Sequence, residues 1–390
     1  MVSVTNLSLV LNQLKSSLAH LSFRPYLNHV KRRQPNTSSH CEIIYASRFH
    51  PSSTSRSSLW SSLFATSPPS LPSPSLDAAH LVTPQYVAPR APIVLCHGLY
   101  GFDKRGPDAL PFLQVRYWGG IENALARLGA KVVVTKVPRT GSIKARAKAL
   151  HSFLNLAIQN QPVNFIAHSM GGLDCRYLLS HLHDRSYKPL SLTTVSTPHR
   201  GSPLTNWFRK YVGVAKMTDD MFSGRSFSAS PFADPETLTI HGHTPNPGSM
   251  AAHSLDRPLQ KLVHQYLDTP AYANLTTDFC QGYFNPNTPD HPDVAYYSYG
   301  SNVVLPFWSV LGLPNQLIRD HEGDNDGIVS VQSAQWGKYI KTLDAHHWAL
   351  NGQRYPWLST SRSSSTESNN KFDTIEFYLE LATFLYRQGH

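Results

Sequence analysis

The stretch Val163-Asn-Phe-Ile-Ala-His-Ser-Met-Gly-Gly172 decides the fold, because it has the pattern of a buried strand followed by a tight turn and a helix. Ala167 and Gly171 lie two positions on either side of Ser169, where a side chain larger than methyl would collide with its neighbours. Such a turn lifts the Ser169 hydroxyl above the sheet edge and predicts a nucleophile. The Met170 N–H begins the helix and is a predicted donor to developing negative charge.

Strand and helix patterns alternate on both sides of this turn. Short apolar or β-branched runs predict strands, and apolar residues at a spacing of three and four predict helices. Their alternation predicts an α/β fold with a mostly parallel central sheet, helices on both faces and chemistry at the carboxyl ends of the strands. The predicted strands are 92–96, 131–137, 163–168, 190–196 and 294–299, and the predicted helices are 118–128, 142–159, 171–181 and 372–386.

A serine nucleophile needs a histidine to accept its proton and a carboxylate to hold that histidine in the right tautomer. In a fold with this strand-turn-helix serine, the partners follow in the order Ser, Asp, His. Asp326 and His347 satisfy that order after Ser169. Asp326 lies in an acidic loop, 320–327, that also contains Asp320 and Asp324, so the sequence leaves open which aspartate reaches the histidine.

A second oxyanion donor is expected in the loop after the first core strand. His97-Gly98-Leu99 follows the 92–96 run, and the backbone N–H of Leu99 is the candidate beside that of Met170. A plain glycine turn at the end of a strand would have the same sequence.

An ordered series of motifs extends this pattern along the chain. Together the motifs resemble bacterial true lipases of the α/β-hydrolase fold and their fungal relatives, above all the mitochondrial triacylglycerol lipases of yeasts and other fungi. The motifs are Val94-Leu-Cys-His-Gly-Leu-Tyr-Gly-Phe-Asp-Lys104, Tyr117-Trp-Gly-Gly120, Ala167-His-Ser-Met-Gly-Gly172, Thr197-Pro-His-Arg-Gly-Ser202, Thr288-Pro-Asp-His-Pro-Asp-Val294 with Tyr296-Tyr-Ser298, Asn325-Asp-Gly327 and His347.

The resemblance implies a lipolytic ester hydrolase in which Ser169 is the nucleophile, Asp326 orients the base and His347 acts as base and then acid. It favours His347 over His346, because Trp348 and Gly352 match the bulky residue and the glycine that follow the family's histidine. Two readings stay open beside triacylglycerol hydrolysis: a phospholipase or lipid acyltransferase with the same triad, and a lipid-binding or scaffolding relative without activity.

No cofactor and no metal are expected. Many bacterial members hold calcium through an acid two residues after the catalytic histidine, and Ala349 stands at that position. The zinc-binding insertion of some thermophilic members has no counterpart between the first core strand and Ser169.

The helix-strand rhythm breaks between about 203 and 275, where the resemblance implies a lid or cap insertion. Apolar residues at helical spacing begin this insertion and predict an amphipathic helix. A mobile lid and a helix fixed on the core have the same pattern, so both remain open. The substrate or lid candidates are Leu204, Trp207, Phe208 and Tyr211.

The N-terminal segment, 1–85, differs in composition from the hydrolase domain expected over 86–390. It is rich in Ser and Arg, has no acid before Glu42, and carries apolar residues at helical spacing near its start. This predicts a disordered basic segment that acts as a mitochondrial transit region, with a cytoplasmic or lipid-droplet location as the alternative.

Residues 1–90 hold eight Lys or Arg against two acids, which accounts for +6 of the net charge of +10. The remainder is nearly balanced, so no nucleic-acid partner is expected. No run of 18 apolar residues occurs, so no transmembrane segment is expected either. The expected partner is a lipid substrate at a membrane or droplet surface.

Overall fold

The computed structural model describes residues 86–101, 104–105, 115–212, 269–353 and 372–390. The predicted transit region 1–85 and the part of the insertion at 213–268 lie outside the described residues, so those two predictions stay predictions. Within the described ranges, no helix combines the length and the hydropathy needed to cross a bilayer.

Six strands form one sheet in which every neighbouring pair is parallel, in the order β4-β1-β5-β6-β7-β8. The predicted mostly parallel sheet is confirmed. A separate two-stranded antiparallel ribbon consists of β2 and β3. The strands are β1 (Ile93–Cys96), β2 (Lys104–Arg105), β3 (Val115–Arg116), β4 (Val132–Val134), β5 (Pro162–His168), β6 (Lys188–Val195), β7 (Ala295–Asn302) and β8 (Lys338–Asp344).

Helices cover both faces of the sheet, as the alternation of patterns predicts. The helices of the described ranges are α1 (Ile121–Arg127), α2 (Ile143–Ala157), α3 (Gly171–His181), α4 (Pro203–Val212), α5 (Pro270–Ala273), α6 (Asn285–Asn287), α7 (Gly312–Glu322), α8 (Val331–Ala334) and α9 (Thr374–Arg387), with a π-helical turn at Phe279–Phe284 and a 3-10 turn at Ala349–Asn351.

Strand β1 explains why the sheet needs two helical layers. All four of its residues are buried, and successive side chains of a strand point to opposite faces. Ile93 and Leu95 belong to an apolar cluster with α1 and α9, whereas Val94 and Cys96 belong to a second cluster with α2 and α3. A strand that is apolar on both faces can be buried only between two layers.

The chain reverses its direction of travel across the sheet at β1. It passes from β1 outward to β4, and then returns over β1 to β5 on the other side. In an open α/β sheet the crevice at such a reversal, at the carboxyl ends of the strands, is where ligands bind. The loop after β1 contains Gly98 and the turn after β5 contains Ser169, so both lie at this crevice.

Two elements differ from the sequence expectation. Helix α7 continues to Glu322, so the first residues of the predicted acidic loop 320–327 are helical. Strand β8 was not anticipated, because it is an edge strand with exposed Lys338, Lys341 and Asp344 and therefore lacks an apolar run.

Candidate active site

The turn after β5 holds Ser169 in a strained conformation. Its φ of 57° lies in the left-handed region, which costs a residue with a Cβ atom about 1–3 kcal/mol. The Ser169 N–H donates to the Val195 carbonyl at 3.0 Å. A Cβ atom at Gly171 would lie 2.7 Å from the Cys96 carbonyl oxygen, so a side chain there would force the turn away from β1. The geometry is that of a nucleophile elbow.

Asp326 and His347 are joined at the same edge of the sheet. His347 Nδ1 donates to Asp326 Oδ2 at 2.7 Å, and the His347 N–H donates to the Asp326 carbonyl at 3.0 Å. A carboxylate only accepts, so the proton sits on Nδ1 and the lone pair of Nε2 is left for a base. Both side chains are buried.

The second carboxylate oxygen of Asp326 is held by the backbone of its own turn. Asp326 Oδ1 accepts from the N–H of Ile328 at 2.9 Å and from that of Val329 at 2.8 Å. The carboxylate therefore has a partner on each oxygen and a fixed plane.

The structure separates Asp326 from the other two aspartates of the acidic segment. Asp324 pairs with Arg319 at 3.1 Å, and Asp320 accepts from Gln316 at 2.7 Å; both pairs are exposed. His346 has a different partner from His347, since its Nδ1 accepts from the Ala349 N–H at 3.3 Å. The geometry thus assigns the Asp-His contact to the pair that the sequence analysis preferred.

His168, the residue before Ser169, connects the elbow to the His347 loop. The His168 ring lies 4.6 Å from the His347 ring between centroids, and His168 Nε2 donates to the His347 carbonyl at 3.2 Å. His168 Nδ1 must then accept, and it lies 2.7 Å from the Tyr117 hydroxyl. Burial, followed by the nearby charge of His347, lowers the pKa of His168 well below its usual value, so this ring is neutral.

Tyr117 extends the connection to the loop after β1. Its hydroxyl accepts from the Gly98 N–H at 3.1 Å while donating to His168. A chain of three hydrogen bonds therefore links Gly98, Tyr117, His168 and the His347 carbonyl. It ties together the loops that carry the predicted oxyanion donor, the predicted nucleophile and the predicted base.

Arg146 binds backbone carbonyls of the loop after β1. Its guanidinium donates to the carbonyl of His97 at 2.9 Å, to that of Gly98 at 3.3 Å and to that of Pro138 at 2.8 Å. It also pairs with Asp174 at 2.8 Å, and both side chains are buried. Burial raises the pKa of Asp174 to about 6, because its effect exceeds the lowering that the Arg146 charge and hydrogen bond cause.

The Leu99 and Met170 side chains meet in one apolar cluster. In the loop after β1, the N–H of Gly98 donates to Tyr117, that of Tyr100 to Arg139 and that of Gly101 to Gly98. The N–H groups of Leu99 and Met170 have no hydrogen-bond partner among the described residues.

The insertion candidates lie on helix α4. Phe208 is buried, Leu204 and Trp207 are half-buried, and the side chain of Tyr211 lies outside the described part. Two bonds secure the start of the helix, from the Ser202 N–H to the Leu275 carbonyl at 2.9 Å and from the Ser202 hydroxyl to the Ile328 carbonyl at 2.7 Å. A mobile lid and a helix fixed on the core both remain open.

No role was predicted from the sequence for Tyr117, His168, Arg146 or Asp174. Tyr117 and His168 stand inside motifs that carry the resemblance, so a signal was present for both. Arg146 and Asp174 sit at helical positions of α2 and α3, where a charged residue resembles an ordinary surface residue.

Across the described ranges, no three side chains of His, Cys, Asp or Glu come together as a metal-binding group. Ala349 begins the 3-10 turn after His347. The expectation that no metal is bound stays a prediction.

No protein-family model matches the chain. Among curated proteins, triacylglycerol lipase 2 of Saccharomyces cerevisiae is 30% identical over 356 residues, which cover 79% of this chain and 95% of that protein. A triacylglycerol lipase of Vibrio cholerae is also 30% identical, over 68% of this chain and 80% of its own length.

Solved structures share the fold. The Staphylococcus hyicus lipase superposes with a TM-score of 0.51 at 19% identity, over 78% of this chain and 98% of that one. A metagenomic carboxyl esterase superposes with a TM-score of 0.51 at 17% identity, over 79% of each chain. Given the yeast relative, which matches nearly its whole length, and this shared α/β-hydrolase fold, the chain belongs to the triacylglycerol lipase family.

Proposed function

We propose that the protein is a triacylglycerol lipase, which cleaves fatty-acid esters of glycerol through an acyl-serine intermediate. The observation that carries the proposal is the 2.7 Å contact between Asp326 and His347, at the sheet edge where Ser169 adopts a φ of 57°. The curated relatives named triacylglycerol lipase support the substrate class.

The proposed reaction assigns one role to each of the three residues. Ser169 Oγ attacks the ester carbonyl carbon while His347 Nε2 takes the hydroxyl proton, and the same proton then passes to the departing glycerol oxygen. Water repeats the sequence: its proton goes to His347, its oxygen attacks the acyl carbon, and the fatty acid leaves as Ser169 regains the proton. Asp326 holds the ring and stabilises the imidazolium that forms in each half.

The negative charge that develops on the carbonyl oxygen needs donors. We assign them to the N–H groups of Leu99 and Met170, because the other amides of the loop 98–101 are engaged within the protein. Each such donor is typically worth about 3–4 kcal/mol in the transition state. Met170 also precedes helix α3, whose positive end faces the same oxygen.

Helix α4 is the proposed wall of the acyl-chain site. The helix follows the carboxyl end of β6, which is the sheet edge that carries Ser169, and its Leu204 and Trp207 are half-buried. The buried Phe208 packs edge-on against Tyr272 with ring centroids 6.4 Å apart. A lid role for this helix predicts a jump in turnover once the ester exceeds its solubility, whereas a fixed helix predicts a smooth rise.

The test is hydrolysis of triolein, tributyrin and phosphatidylcholine by the full chain and by its Ser169→Ala form. We expect triolein turnover by the full chain and its loss in the variant. Activity confined to tributyrin would make the protein an esterase, and activity confined to phosphatidylcholine would make it a phospholipase. Equal rates for the two proteins would remove Ser169 as nucleophile. Acyl transfer to an added alcohol, at the expense of free fatty acid, would indicate an acyltransferase.

For location, we propose the mitochondrion. The basic segment 1–85, poor in acids, supports it. A fluorescent protein fused behind residues 1–85 is expected to enter mitochondria, and diffuse cytoplasmic or droplet-bound fluorescence would contradict this.

A further inference from the structure

The loop between β7 and α7 carries a cluster of exposed apolar side chains. Val304 is 78% exposed, Phe307 67% and Trp308 62%. The other large apolar side chains that are exposed in the described ranges are separated along the chain: Val87, Leu156 and Tyr283. Single exposed apolar residues are ordinary, whereas a cluster of this kind marks a surface that is covered in use. We call Val304, Phe307 and Trp308 the aromatic patch.

The aromatic patch is built on a well-bonded backbone. The Ser309 N–H donates to the Pro306 carbonyl at 2.9 Å, and the Gly312 N–H donates to the Ser309 carbonyl at 2.8 Å. At the other end of the loop, Asn315 Nδ2 donates to the Val303 carbonyl at 3.0 Å. The exposure of the rings therefore does not come from a loosely held segment.

The inner side of this loop rests on the turn that holds Asp326. A Cβ atom at Gly327 would lie 2.9 Å from Leu311 Cβ and 3.4 Å from Leu305 Cδ1, and the Val303 N–H donates to the Asn325 carbonyl at 3.0 Å. The loop follows the carboxyl end of β7, so it lies at the same sheet edge as Ser169 and His347. The buried Leu311 and the half-buried Leu305 lie against the Asp326 turn at Gly327, while the aromatic patch is exposed.

The composition of the loop indicates what covers it. Residues 301–318 contain no Asp, Glu, Lys or Arg. The two rings pack edge to face at 5.0 Å between centroids, which makes one continuous apolar surface. An anionic headgroup or a charged protein would find no counter-charge in this stretch. A neutral oil would cover the rings without requiring a counter-charge, while the Trp308 indole N–H stays at the boundary with water or donates to an ester carbonyl.

We propose that the aromatic patch is the surface with which the protein docks on the neutral oil-water interface of its ester substrate. This rests on the proposed function, since an insoluble ester has to be met at such an interface. Docking through this loop sets the sheet edge that carries Ser169 and His347 toward the oil. Phe and Trp side chains are well suited to this, because they enter the boundary between water and hydrocarbon.

The test measures adsorption without catalysis, in the full chain carrying Ser169→Ala. The double substitution Phe307→Ser with Trp308→Ser is compared with Leu156→Ser by flotation on triolein droplets. Leu156 is the matched control: it is 82% exposed but lies at the end of α2, near the opposite edge of the sheet. We expect the double variant to lower the partition coefficient about tenfold or more and Leu156→Ser to change it less than about twofold.

A conservative variant separates apolar area from fold damage. Phe307→Leu with Trp308→Leu is expected to retain most of the adsorption, with the same thermal midpoint as the Ser variant. Equal adsorption of the Ser variant and its parent would overturn the proposal. A dimeric parent whose Ser variant becomes monomeric, with adsorption unchanged, would overturn it too, because the patch would then bind a second copy.

The same substitutions are also made in the protein that keeps Ser169. There, Phe307→Ser with Trp308→Ser is expected to lower the ratio of triolein turnover to turnover of dissolved tributyrin about tenfold. An unchanged ratio would count against docking. Absence of turnover in the parent would sink the proposed function alone, because the adsorption measurement does not depend on it.

Discussion

Asp174 and Asp326 are both buried, and one carboxylate oxygen of each lies 2.7–2.8 Å from a basic side chain, Arg146 or His347. Their second carboxylate oxygens differ in hydrogen bonding. Asp326 Oδ1 accepts two backbone N–H groups, whereas Asp174 Oδ1 has no partner among the described residues. The partners also differ. Arg146 carries a permanent charge, while His347 can gain and lose a proton.

The difference separates a pair that holds the loop after β1 from the pair that we propose as reactive. Arg146 uses its charge to hold the carbonyls of His97 and Gly98, and Asp174 compensates that charge. Asp326 Oδ1 is bonded to backbone N–H groups of its own turn, so the proposed role of Asp326 in orienting His347 needs no fixed positive charge opposite it. A buried carboxylate therefore indicates chemistry only when its partner is able to titrate and faces the reaction.

The largest effect is expected from Asp326→Asn. The amide keeps the shape but presents an N–H to His347 Nδ1, which favours the wrong tautomer, and kcat is expected to fall about 10,000-fold. The unfolding free energy should change little in comparison. Steady-state turnover of tributyrin together with urea unfolding checks both parts. Activity within tenfold of the parent would exclude Asp326 from the site.

The same substitution at Asp174 is expected to act on stability. Asp174→Asn leaves the Arg146 charge buried without compensation, which typically costs about 3–5 kcal/mol. The folded fraction should keep kcat within about tenfold, because Asp174 touches no proposed reacting group. Urea unfolding of the Asn variant, beside turnover corrected for folded protein, measures this. A stable variant with a catalytic loss equal to that of Asp326→Asn would reverse the comparison.

A smaller effect is expected from Tyr117→Phe. The change leaves the Gly98 N–H and His168 Nδ1 unpaired in a buried place, at a cost of about 1–3 kcal/mol. Because the hydrogen-bond chain positions His347, kcat is expected to fall while KM stays the same. Steady-state kinetics on tributyrin measures the change in kcat, and thermal unfolding measures the loss of stability. As a control, Tyr378→Phe removes a buried hydroxyl that donates to the Leu350 carbonyl and should affect stability alone.

The smallest effect concerns the pH dependence that His168 contributes. Its folded pKa lies well below 6.5, so below pH 6.5 the unfolded chain binds a proton that the folded chain does not. Its share of the unfolding free energy is thus complete above that pH and declines by up to about 1.4 kcal/mol per unit as the pH falls. His168→Gln should show a shallower acid slope between pH 6.5 and 5. Parallel slopes would mean that His168 is charged in the fold.

Much of this architecture could be predicted from local patterns. The apolar run of β5, with Ala167 and Gly171 around Ser169, carries enough information because a strand and a sharp turn are set by neighbours in sequence. Strand β8 and the end of α7 could not be predicted in the same way. Polar residues interrupt Tyr339, Ile340 and Leu343 in β8, which is set by pairing with β7. The last four residues of α7 are all polar, so no apolar spacing marks where the helix ends.

The sequence by itself determined the alternation of strands and helices, the parallel sheet, the position of Ser169 in its turn, and the order of the three residues proposed as a triad. Only the tertiary structure decided that Asp326, not Asp320 or Asp324, meets a histidine, and that Tyr117, His168 and Arg146 hold the surrounding loops. The physical reason is the separation along the sequence over which each interaction acts. Periodicity and turn chemistry act over a few residues, whereas a hydrogen bond between residues 21 or 51 positions apart exists only once the sheet has brought its carboxyl ends together.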